Sequence, residues 1–137
     1  MAILFPNEII LETENFIVAQ DWEVPIVGFF IISTKRKVRS VSEFRTEEAL
    51  EFGPLIVKIR KAMNEVLGIE TVYVFQNEDT VHGFHLWLFP RHDWMEQFGL
   101  KIQSVRPIMK YSQNQTITEV VLKEVKGAVQ RMKEQLQ

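Results

Sequence analysis

The sequence predicts an α+β domain: a mainly antiparallel sheet of about five strands, with a long central helix and a C-terminal helix. Three observations point to it. Short segments rich in β-branched and aromatic residues lie on both sides of a long span with helical apolar spacing. That span runs from Thr46 to the stop at Gly68. A second amphipathic stripe closes the chain.

In order, Ile9-Ile10-Leu11 and Phe16-Ile17-Val18-Ala19 are strands of a hairpin, separated by the polar turn Glu12-Thr13-Glu14-Asn15. Asp21 to Pro25 reads as a loop. Val27 to Ser33 is a near-continuous apolar strand, which implies burial on both faces. The basic run Lys35-Arg36-Lys37 with Arg39 reads first as a solvated loop and second as a phosphate-facing patch. Thr46, as an N-cap before Glu47 and Glu48, starts the central helix, and Leu50, Ile56, Ile59, Met63 and Val66 or Leu67 form its apolar stripe. Gly53-Pro54 is expected to kink or divide it. Thr71 to Phe75 and Thr80 to Pro90 are the remaining strands, joined by the tight loop Gln76-Asn77-Glu78-Asp79. Trp94 to Leu100 reads as loop or a short helical turn, and a break is expected at Pro107. Thr116-Ile117-Thr118-Glu119 is a capping box that opens the last helix. Its stripe of Ile117, Val121, Val125, Ala128, Met132 and Leu136 suits packing on the sheet, or else a dimer seam.

At 137 residues, with 46% apolar and 25% charged residues, the chain is expected to be a single globular domain, 1–137. Its 18 acidic and 16 basic side chains nearly balance, so neither nucleic acid nor an anionic membrane is the expected partner. Without cysteine there is no disulfide, thiolate metal site or cysteine nucleophile. No basic segment leads into an apolar run at the N-terminus, and Ile26 to Ile32 is too short to span a bilayer. A cytoplasmic location is expected.

The chemistry concentrates in the strand Thr80 to Pro90. Side chains alternate, so Gly83, His85, Trp87 and Phe89 share one face while Phe84, Leu86 and Leu88 enter a core. A single imidazole, His85, stands between a glycine and a tryptophan. His82 points to the opposite face of a regular strand, and a bulge at Gly83 would turn it back. His92 falls in an exposed turn. No acidic residue converges with the histidines, so neither a metal nor another cofactor is expected.

Phe84-His85-Leu86-Trp87-Leu88-Phe89-Pro90-Arg91 resembles the signature of the histidine triad superfamily, His-x-His-x-His followed by apolar residues and often Pro-Arg. Upstream, Pro25 to Ile32 is similar to the family's Pro-Gly-His turn into an apolar strand, and Ser33 to Phe44 to its Pro-Lys-Arg-His segment. The likeness spans about Phe16 to Trp94. It implies a histidine-triad-like fold, a homodimer and a nucleotide substrate. It places His85 on the central histidine, which attacks the α-phosphorus in active members. Asp21 falls on the residue that binds the ribose hydroxyls, Gln76 or Asn77 near a phosphate contact, and Thr80 on a hydroxyl that contacts the leaving group. Gly83, Trp87 and Phe29 stand where active members have further histidines.

The expected function is therefore a nucleotide phosphohydrolase or nucleotidyl transferase working through a nucleotidyl-histidine intermediate on His85. Donors for the phosphate oxygens would come from amides near Gly83, Thr80, the Trp87 indole and Arg91. Missing acid catalysis would fall to His82 or to a good leaving group. The alternatives are a catalytically degenerate nucleotide-binding protein and a dimeric interaction scaffold.

Overall fold

The computed structural model describes residues 8–21, 23–79, 83–114 and 118–137. Five strands, β1 (Ile9–Glu12), β2 (Phe16–Gln20), β3 (Phe30–Thr34), β4 (Val72–Phe75) and β5 (His85–Pro90), form one sheet in the order β1-β2-β3-β5-β4. Every neighbouring pair is antiparallel. The helices are α1 (Thr46–Leu67), α2 (Val105–Asn114) and α3 (Glu119–Leu136). The predicted α+β architecture and its five strands are what the chain forms.

Alternation splits the sheet into two apolar faces. On one, Phe16, Val18, Phe30, Ile32, Phe84, Leu86 and Leu88 pack with Leu55, Ile59 and Met63 of α1 and Val129, Met132 and Leu136 of α3. On the other, Phe29 and Phe89 pack with Val24, Ile26, Met95 and the α2 residues Val105 and Ile108. The α2 helix is thus held against the sheet face that carries His85 and Trp87.

Several local expectations need correction. The third strand begins at Phe30 rather than Val27, because Val27 and Gly28 form a turn closed by Phe29 N–H donating to the Ile26 carbonyl (3.2 Å). Gly28 has φ +80, and a Cβ there would lie 2.4 Å from Ile69 Cδ1, so glycine is required. Arg45, not Thr46, takes the N-cap place of α1, with its N–H donating to the Glu48 carboxylate at 2.7 Å. Pro54 does not divide α1, which stays helical through it. Gly53, Pro54 and Leu50 are all exposed, so the Leu50 carbonyl that loses its donor faces water. Leu50 itself is 72% exposed and belongs to no core; Leu55 is buried in its stead. Gly68, at φ +67, ends the helix as expected.

Pro107 is the third residue of α2 rather than a break. First-turn amides have no intrahelical acceptor, so a proline there costs no hydrogen bond. The start of α3 is capped by Thr118, whose hydroxyl accepts from Val121 N–H at 3.3 Å; Thr116 and Ile117 lie outside the described residues. Val125, Ala128, Met132 and Leu136 are buried within the chain, where α3 packs on α1 and β1. The stripe is intramolecular packing and leaves little for a dimer seam.

The basic run is mostly paired internally. Lys35 contacts Glu12 (2.8 Å), Arg39 contacts Glu78 (3.3 Å), and Arg36 contacts the buried Glu48 (2.7 Å) while also donating to the Glu43 carbonyl. These pairs hold the loop after β3 in place and oppose the phosphate-patch reading.

Candidate functional site

The β5 register brings the chemistry together. Trp87 lies opposite Ile31 on β3 and Phe75 on β4, and His85 lies opposite Ser33. The indole stacks on Phe75 (centroids 5.5 Å, interplanar 13°), and the His85 imidazole meets its edge at 5.8 Å and 90°. Both rings are half-buried, at the floor of a cleft of about 590 Å³. Asp21, Glu23 and Asn77 contribute to its lining, and the far wall is α2, through Arg106, Met109, Lys110 and Gln113.

Asp21 is built into the cleft by the turn that follows β2. Its N–H donates to the Phe29 carbonyl (2.8 Å), and its Oδ1 accepts from the amides of Glu23 (2.8 Å) and Val24 (2.9 Å). The two amide contacts both fall on Oδ1. Asp21 is only 6% exposed, and burial pushes its pKa up to about 6, against the opposing pull of the Val24 and Glu23 amides and the indole. Trp87 and Asp21 thus share the cleft.

The remaining candidates divide. Gly83 packs beneath the loop after β3: Phe84 N–H donates to the Val38 carbonyl at 2.6 Å, and a Cβ on Gly83 would approach that oxygen to 3.3 Å. A histidine there would require the Val38 backbone to give way. Gln76 donates to the Asn77 carbonyl (2.7 Å), and it is Asn77 that lines the cleft. Arg91 is engaged away from it, donating to Ser104 Oγ (3.2 Å) and to the carbonyls of Met95 (3.2 Å) and Gly99 (2.6 Å). Its place is that of a clamp on the turns leading into α2. Thr80 and His82 lie outside the described residues, as does Trp22. Phe29 is fully buried against Phe89.

His92 is not a bare turn residue. Its Nε2 lies 2.7 Å from the Val27 carbonyl, which ties the turn after β5 to the one before β3. Among the described residues no group of histidine and acidic side chains could hold a metal ion. No helix among them is long and apolar enough to cross a membrane. Besides Glu23, Ile31, Phe75 and Ile102, the cleft residues that sequence reasoning missed are those of α2. Their signal was the spacing Arg106, Lys110, Gln113 opposite the apolar positions Val105 and Ile108.

No family model and no curated protein matches the sequence. Solved structures do match by fold. A Hit-like protein from Bartonella henselae, involved in cell-cycle regulation, superposes with a TM-score of 0.65 at 18% identity, covering 96% of this chain and 87% of that one. A zinc-bound histidine triad family protein from Mycobacterium smegmatis gives 0.60 at 18% identity, covering 95% and 88%. A Plasmodium falciparum diadenosine triphosphate hydrolase gives 0.63 at 11% identity, covering 95% and 76%. Over nearly its whole length, this protein has the histidine-triad fold.

Proposed function

We propose that the cleft binds a nucleotide and that His85 is a phosphorus nucleophile, making the protein a nucleotide phosphohydrolase or nucleotidyl transferase. The observation that carries this reading is the convergence of His85, Asp21, Asn77 and Trp87 on one cleft. An imidazole nitrogen of His85 attacks the α-phosphorus, a P–N bond forms, and the P–O bond to the leaving group breaks. Water or another acceptor then breaks the P–N bond and releases the nucleotide. Asp21 accepts from a ribose hydroxyl, and Asn77 donates to phosphate oxygens. The likeness to a diadenosine triphosphate hydrolase supports substrates of that kind. A homodimer in the cytoplasm belongs to the same reading.

One observation favours a second reading, a nucleotide binder without chemistry. The indole of Trp87, which lines the cleft beside His85, is no acid at neutral pH. Leaving groups that need a proton would then depart slowly. Incubation with dinucleoside polyphosphates and nucleotide phosphoramidates, followed by chromatography of released mononucleotide, separates the two. Release supports the enzyme; binding without release across the panel supports the silent binder.

The same assay gives a prediction for Trp87→His. An imidazole at this position, beside the Asp21 carboxylate, restores a group able to protonate the leaving group. Turnover of substrates with poor leaving groups should rise by about 10²-fold, the lower end of what general acid catalysis supplies. Substrates whose leaving groups need no proton should gain much less.

A further inference from the structure

We infer that α2 is a cationic wall that binds the phosphate chain beyond the phosphate held at His85, so that the site selects nucleotides with two or more phosphates. The inference rests on the nucleotide reading above and goes past it to the substrate class. Arg106 and Lys110 stand one helical turn apart, both exposed and both lining the cleft that contains His85. Among the described residues neither forms an ion pair, whereas Lys35, Arg36 and Arg39 each have a carboxylate partner. Gln113, three residues beyond Lys110, adds a neutral donor to the same wall.

The wall is fixed rather than loose. Val105 and Ile108 are buried against Phe29 and Phe89, and Ser112 is 8% exposed, so the helix has one seating on the sheet. Arg91 fixes its entry through Ser104 and the Met95 and Gly99 carbonyls. The lining also includes the acids Asp21 and Glu23. The cleft thus offers carboxylates, one of them proposed above for the ribose, as well as the cations of α2. A ligand with both hydroxyls and several phosphates matches that lining, and a nucleoside monophosphate fills only part of it. Cations on the wall also offset the loss of donors at Gly83 and Trp87, since charge-assisted contacts to phosphate are stronger than neutral ones.

The test is equilibrium binding, with chelator present, of adenosine mono-, di- and triphosphate and of inorganic tripolyphosphate. It compares the wild-type chain, the double variant Arg106→Ala/Lys110→Ala, and Lys58→Ala/Lys61→Ala. The last pair removes the same charge from exposed positions of α1, on the opposite side of the sheet. We expect affinity to rise at least about tenfold from mono- to triphosphate in wild type and in the α1 variant. That gain should vanish in the α2 variant, with monophosphate affinity changed less than about threefold. Equal affinity for all three nucleotides in wild type, or a gain that survives in the α2 variant, overturns the inference while leaving nucleotide binding intact. Tripolyphosphate bound by wild type and lost in the α2 variant, with no nucleotide bound, supports the wall and overturns the nucleotide reading. No binding of any of the four overturns both.

Discussion

His85→Ala is expected to lower release of mononucleotide by at least about 10³-fold, because the substitution removes the atom that forms the covalent intermediate. Folding should survive it. His85 is half-buried, and its ring meets the Trp87 ring at right angles. A change in unfolding free energy within about 1 kcal/mol is expected from urea titration. Nucleotide affinity should fall far less than turnover, since Asp21 and the other cleft residues remain. That combination distinguishes a lost nucleophile from a collapsed site. Loss of binding and turnover in equal measure would assign His85 to binding instead.

The second large effect concerns Asp21 and pH. Burial holds its pKa up at about 6, above the ordinary 3.8, so the folded chain keeps this proton where the unfolded chain has released it. Stability contributed by the group is complete below pH 4 and declines as pH rises through 6. Two units correspond to about 3 kcal/mol. Glu43 and Glu48 act in the opposite sense. The Arg39 and Ser40 amides hold Glu43 below its usual range, and the Arg36 guanidinium does the same for Glu48, so their contribution is lost as pH falls below about 4.5. Stability should therefore peak at about pH 4.5. Urea unfolding of wild type and Asp21→Asn at pH 5 and pH 7.5 checks this. The wild type should lose about 1.4 kcal/mol between the two, the remainder being already gone at pH 5, and the variant should stay nearly flat. Asparagine Oδ1 can still accept from the Glu23 and Val24 amides, so the turn should persist.

Much of the fold was legible because local signals and tertiary packing agree. The alternation around His85 placed Phe84, Leu86 and Leu88 in the core and put His85 and Trp87 together on the other face. The loop after Ala19 was legible as the carrier of Asp21. What was not legible depends on contacts distant in sequence. Nothing local to Arg36 announces its pairing with Glu48, which turns a basic run into an internal strut. Nothing near Trp87 announces that it shares a cleft with Asp21, sixty-six positions earlier. Leu50 fitted the apolar spacing of α1 and yet is exposed, since spacing fixes a stripe only once the partner surface is known.

The largest gap was α2. Pro107 read as a break because proline disrupts helix interiors, but its position in the first turn makes it compatible with a helix start. That misreading hid the helical spacing of Arg106, Lys110 and Gln113, and with it one wall of the cleft.

The most direct test of the central claim is intact-mass analysis of the protein, quenched in alkali within its first turnovers of a dinucleoside polyphosphate. A phosphoramidate survives alkali, so the account predicts a nucleotidyl adduct that maps to His85 and is absent from His85→Ala. Turnover with no adduct at His85, or an adduct that persists in His85→Ala, would contradict it.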